Sequence, residues 1–273
     1  MRNQPHASRA SAAHAGRTFT SRGFTLIELL TVIAIIGILA AIVIPTVGTV
    51  REKAQRAVDA NNVREILKAA QIYAGDNNDR LPDPQSIATS VLNAPSRALL
   101  WPGILAKNNI LTDPTFYFAK NDPAFSGTYP QFIINPSTAR NALHNTFTNA
   151  RSPSLEFVGG IKMSDAPTSP VIYTRGLQAN GTWSATSGVY KDTGGYIAFL
   201  GGNVAFFSST AGAFVSNNPT STSQTRTFTD VRQAIPINTA NAAASARIYG
   251  VPPPAGAGGM LGSAGGTLAT RGP

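Results

Sequence analysis

Residues 24–44 read FTLIELLTVIAIIGILAAIVI, and 17 of these 21 are apolar; the exceptions are Thr25, Glu28, Thr31 and Gly37. At about 1.5 Å rise per residue a helix over this run is roughly 32 Å long, enough to cross the hydrocarbon core of a bilayer. A charged side chain inside such a run is expensive and persists where it has a partner or a task. Glu28 therefore asks for more than a plain anchor supplies. Gly23 stands immediately before the run and Pro45 immediately after it. A secretory signal peptide would show a shorter apolar stretch, about 7–15 residues, with a small-residue cleavage site behind it. A simple single-span anchor would need neither Gly23 nor Glu28.

Residues 23–28, Gly-Phe-Thr-Leu-Ile-Glu, followed by the rest of the apolar run, closely resemble the N-terminus of type IV pilins and type II secretion pseudopilins. The resemblance implies that a dedicated membrane peptidase cuts after Gly23 and methylates the new N-terminus, Phe24. The family's acidic residue falls at Glu28 and its helix-bending proline at Pro45, which makes these two the expected assembly residues. The strict likeness covers residues 22–45, with a looser match to about Leu81. The fold it implies is α+β and pilin-like: a long N-terminal helix, membrane-spanning in its first half, packed on a small C-terminal antiparallel β domain. The implied partners are the prepilin peptidase/methyltransferase, other pilin or pseudopilin subunits, and an inner-membrane assembly platform. The implied location is the inner membrane, single-pass, with a cytoplasmic N-terminus, the C-terminal domain outside, and assembly into a cell-envelope filament.

The formal charge of +9 comes from 22 Lys+Arg against 13 Asp+Glu. Residues 1–23 hold Arg2, Arg9, Arg17 and Arg22 and no acid, so their removal leaves about +5. Much of the basic excess is thus leader, and a nucleic-acid partner is not expected. Three of those arginines lie close enough to the span to favour a cytoplasmic N-terminus, a bias moderated by Arg51, Lys53 and Arg56 on the other side. The chain has no cysteine. Exported domains often staple themselves with disulfides, and many type IV pilins close a C-terminal loop with one, so the absence favours the pseudopilin side of the family.

Five segments follow: a basic leader, 1–23; the transmembrane and assembly helix, 24–45; an amphipathic continuation, 46–75; a globular pilin-like domain, 76–207; and a low-complexity Ser/Thr/Gly/Pro-rich tail, 208–273. Residues 46–75 are rich in good helix formers and contain no proline. Pro45 should bend the helix rather than end it. Val47, Val50, Ala54, Ala57 and Val58 form one apolar stripe; Val63, Ile66, Leu67, Ala70 and Tyr73 form another, pointing roughly 170° away at 100° per residue. A break at Asn61–Asn62 is one explanation. The preferred one is a single helix that changes partner, facing other subunits first and its own domain second.

Gly75 should stop that helix, with Pro82 shortly after. Asp76-Asn77-Asn78-Asp79 lacks the alternating spacing of a calcium loop and reads as a turn. Downstream, 99–111 suggests a short helix, and 116–118, 131–134 and 171–174 suggest strands. YIAFL-GG-NVAFF, residues 196–207, reads as a hairpin turned by Gly201-Gly202. Residues 227–237 allow a short strand or helix, and 250–273 read as disordered.

Without its leader, which holds His6 and His14, the chain keeps one histidine, His144. One histidine and no cysteine exclude the usual zinc spacings and a cysteine nucleophile. No phosphate-binding, dinucleotide-binding or nucleophile-elbow motif is present. An enzyme is not expected, nor a cofactor or metal. The expected function is a structural subunit, cleaved and N-methylated, that polymerises into a type II secretion pseudopilus or type IV pilus-like filament. The alternative is a minor pilin or anchored exported module presenting an adhesive or DNA-binding domain.

Overall fold

The computed structural model describes residues 23–86, 92, 97–137, 139–150, 153–215, 227–236, 245–250 and 267–268. Helix α1 (Leu26–Asp76) is a single element of 51 residues. The chain divides into two compact units within it, the first ending at Val50 and the second beginning at Arg51.

In the first unit α1 runs through Pro45 without ending. Proline removes one backbone donor, and beside it the Thr46 hydroxyl donates to the Val43 carbonyl at 2.9 Å. The large apolar side chains from Leu26 to Val50 are all exposed.

In the second unit no break occurs at Asn61–Asn62. Val63, Ile66, Leu67, Ala70 and Tyr73 are buried in the core, whereas Val47, Val50, Ala54, Ala57 and Val58 are exposed. The helix ends one residue beyond Gly75, and that glycine is helical. The left-handed turn is made by Asn78 and Asp79, at φ 54° and 64°. The Asp79 amide donates to the Ala74 carbonyl at 3.0 Å and the Asn77 side chain to that of Tyr73 at 2.8 Å, so amide and acid residues do the work expected of glycine.

The sheet is antiparallel, in the order β4-β3-β2-β1-β7-β8. Its strands are β1 (Leu155–Gly159), β2 (Pro170–Thr174), β3 (Gly195–Phe199), β4 (Val204–Phe207), β7 (Arg247–Tyr249) and β8 (Thr267–Leu268); β5 (Phe214–Val215) and β6 (Thr227–Phe228) form a separate pair. β1 and β2 are buried at every position. Helix α2 (Arg97–Lys107) lays Trp101 on Phe157 of β1, the rings stacked 4.6 Å apart. Short helices α3 (Asn145–Asn149) and α4 (Val231–Ala234) complete the unit.

Several sequence expectations change. Phe116-Tyr117-Phe118 is not a strand: Pro114–Tyr117 is a 3₁₀ turn, started by a proline and capped by Asp113, whose carboxylate accepts from the Thr115 amide at 2.8 Å. That capping outweighs the β preference of three aromatics. Residues 131–134 contribute only an isolated bridge, Ile134 to Leu143. The hairpin of 196–207 exists, but its loop is Leu200–Asn203, and only Gly202 takes a positive φ, 93°. Leu200 and Gly201 instead donate their amides to Ser169 and Pro167.

Beyond residue 207 the chain continues into the folded unit. Phe214, Val231, Ile235, Ile248 and Tyr249 are buried, and β7 pairs with β1, Val158 opposite Ile248. Tyr249 donates its hydroxyl to Asp83 at 2.8 Å. The expected strand or helix at 227–237 is β6 followed by α4, whose N-cap is Asp230. Most of 250–273 lies outside the described residues; Thr267–Leu268 pairs with β7.

Candidate functional site

Three of the four expected processing and assembly residues, Gly23, Phe24 and Glu28, lie at the start of α1. Gly23, Phe24 and Thr25 precede the helix, with open space around the Gly23 α-carbon and Phe24 exposed. Thr25 and Glu28 close a reciprocal pair. The Thr25 amide donates to Glu28 Oε2 at 2.9 Å and its hydroxyl to the same oxygen at 2.7 Å; the Glu28 amide donates to Thr25 Oγ1 at 3.2 Å. This is a capping box, which satisfies amides that a helix start leaves without partners. An acid in the first turn also suits the positive end of the helix dipole.

The sequence reading missed this arrangement, although Thr-x-x-Glu at 25–28 was its visible signal. Among the described residues, both hydrogen-bond partners of the Glu28 carboxylate are on Thr25. Phe24 and Gly23 lie beside the box, while Pro45 stands 17 residues further along the same helix, about 26 Å at helical rise.

Elsewhere, His144 and Asp79 hold local structure. His144 caps α3, its Nδ1 accepting from the Thr146 amide at 3.2 Å. Asp79 accepts from the Ser164 amide at 3.1 Å. Among the described residues, no group of three or more histidine, cysteine or acidic side chains is placed to hold a metal ion.

Three acids are buried in the second unit: Asp59, Asp122 and Glu156. Asp122 pairs with the equally buried Arg175, and accepts from the Ser154 hydroxyl at 2.6 Å and the Ala124 amide at 2.9 Å. Arg175 also donates to the carbonyls of Ser187 and Pro153, both at 3.1 Å, so this ion pair ties four chain segments together. Glu156 is different. It lies opposite Tyr173 in the β1–β2 ladder, and neither of its carboxyl oxygens accepts a hydrogen bond of ordinary geometry. Burial pushes its pKa up to about 7, against the smaller downward pulls of the nearby Tyr173 hydroxyl and the Arg175 guanidinium.

An exposed apolar helix of membrane-spanning length, opened by a capped turn at Thr25–Glu28 directly behind Gly23–Phe24, defines a prepilin-type N-terminus. The family model for the prokaryotic N-terminal methylation motif matches residues 19–44. Over its N-terminal region the chain is similar to curated type II secretion and type IV pilus proteins. The chain is 33% identical over 78 residues to type II secretion system core protein G of Pectobacterium carotovorum subsp. carotovorum, covering 29% of this chain and 49% of that protein. It is 47% identical over 58 residues to the type IV wide pilus major component PilA4 of Thermus thermophilus, covering 21% and 44%. The core protein G of Aeromonas hydrophila is 36% identical over 76 residues, covering 28% and 52%. The chain thus spans about half the length of the curated relatives it matches. No solved structure matches it.

Proposed function

We propose that this chain is a prepilin-type structural subunit, cut after Gly23, N-methylated at Phe24 and polymerised into a type II secretion pseudopilus or type IV pilus-like filament. The observation that carries the reading is the arm. From Leu26 to Val50 its large apolar side chains are exposed, with one acid in the first turn. An apolar surface of that extent needs a cover. Lipid supplies it to a single subunit, held in the inner membrane with the second unit outside. Neighbouring arms supply it in a filament, through a head-to-tail contact that propagates as an open helix. Gly37, Ala34, Ala40 and Ala41 let such arms approach closely.

Glu28 is the recruitment residue on this reading. In the uncut chain Thr25 holds its carboxylate. Cleavage creates a charged amine on Phe24, and the amine of an adjacent subunit gives Glu28 a counter-charge that a hydroxyl does not. The prepilin peptidase/methyltransferase, other pilin-like subunits and an inner-membrane platform are the partners; the chain is read as a non-enzyme with no cofactor. The lack of cysteine favours the pseudopilin side.

Intact mass and N-terminal sequence of the protein from cells with and without the peptidase test this, together with Glu28→Ala. The expected product begins at methylated Phe24, and the variant is processed but unassembled. A chain beginning at Met1 in peptidase-positive cells, or one cut behind residue 44, refutes the reading.

A further inference from the structure

Just past the exposed arm, α1 carries a polar face. Glu52, Gln55, Arg56 and Asp59 lie at i, i+3, i+4 and i+7, on one side of the helix. Across from them stand Tyr190, Thr193, Tyr196 and Phe206. Tyr190 donates its hydroxyl to Asp59 Oδ2 at 2.7 Å, and Gln55 donates to Asp59 Oδ1 at 3.2 Å. The Arg56 guanidinium lies 5.2 Å from the Tyr190 ring centre and 5.3 Å from that of Phe206. Its Nη2 is 2.7 Å from Glu52 and 3.4 Å from the Thr193 hydroxyl. The three rings pack edge-on around a small apolar cluster of Ala119, Val189 and Tyr190, distinct from the main core, which Tyr196 also touches.

The contacts that hold residues 52–59 are therefore hydrogen bonds and cation–π contacts. Ala54, Ala57 and Val58 are exposed, Val58 at 51%, so this segment adds little apolar burial. From Val63 onward the helix is held by the main core, through Val63, Ile66, Leu67, Ala70 and Tyr73. Detaching the first segment exchanges polar contacts for water, whereas detaching the second exposes large apolar side chains. Burial also raises the pKa of Asp59 more than its bonds to Tyr190 and Gln55 lower it, with nearby Asp122 pushing the same way, so the closed contact contains a group held at a cost.

We propose that residues 52–59 form a latch that opens separately from the domain core. Closed, it binds the helix to its domain from Glu52 onward. Open, it leaves the helix held from the Val63 stripe and lengthens the free arm through Asp59 with the domain still folded. If the chain is a filament subunit, as argued above, this gives an assembling copy reach without unfolding.

Amide exchange of the full chain in detergent micelles, read by mass spectrometry, tests the latch without any filament. Peptides covering 51–60 should exchange faster than those covering 63–74. Tyr190→Phe combined with Arg56→Gln should speed exchange in 51–60 by at least about tenfold, the factor expected from losing the Tyr190–Asp59 bond alone, and leave 63–74 unchanged. No change in the variant, or a rise shared by both segments, overturns the proposal. The shared rise would mean that these residues belong to the core. Tyr190→Phe alone removes one oxygen atom, and a localised effect in that milder variant supports the latch even where the double variant folds poorly.

Discussion

Replacing Glu156 by glutamine removes a titratable group from the middle of the sheet while keeping its shape. The carboxyl is fully buried, opposite Tyr173, and its folded pKa is raised from 4.5 to about 7. A raised acid binds its proton more tightly in the folded state than in the unfolded one. The stability it supports is therefore complete below about pH 4.5 and is lost as pH climbs through about 7. At 1.36 kcal/mol per pH unit, a shift of this size amounts to roughly 3 kcal/mol, a large share of a domain's usual margin. Asp59 is raised as well, so the wild-type pH profile mixes two groups, and the difference between wild type and variant isolates Glu156.

Urea unfolding of the full chain in a non-ionic detergent can be followed by the fluorescence of Trp101 and Trp183, both buried in the second unit. Glu156→Gln should be more stable than wild type by about 2–3 kcal/mol at pH 8, with the gap closing towards pH 4.5. A gap that stays the same from pH 4.5 to pH 8, or a variant less stable at pH 8, refutes the reasoning. It would mean that the folded state holds this carboxyl as an anion, through Arg175 or through water reaching the strand.

Arg175→Ala should destabilise the domain by about 3–5 kcal/mol, because it leaves Asp122 charged and buried without its partner. The double change Arg175→Met with Asp122→Leu should recover much of that loss, and a double variant worse than the single one would speak against a desolvated pair. Ile248→Ala, far beyond the 196–207 hairpin, should cost about 2–5 kcal/mol, since the side chain is fully buried on β7. A change in unfolding midpoint worth less than about 0.5 kcal/mol would return residues 245–250 to the status of a loose tail.

The parts of the fold that could be read from the sequence are those whose signal is local and long. The apolar run, the two stripes of α1 and the 196–207 hairpin each declare themselves over ten or more neighbouring residues, by hydrophobicity or by period. The capping box was equally local, but Glu28 drew attention as a charge within an apolar run, and its spacing from Thr25 went unread. What stayed hidden is non-local. β7 is three residues long and sits in a stretch of small and polar residues, so no average over its neighbourhood marks it as a strand. It exists because Val158 and Phe157, some ninety residues earlier, leave a ladder edge that Ile248 and Tyr249 fill. The latch is hidden for the same reason. Gln55, Arg56 and Asp59 look like an ordinary solvated helix face until Tyr190 and Phe206 arrive from 131 and 150 residues away. Buried polar side chains follow the same logic, because a sequence lists charges without saying which ones the fold removes from water. Glu156 and Asp59 are therefore where the chemistry of this domain departs most from its composition. They are also where a single conservative change in the second unit should alter behaviour most visibly.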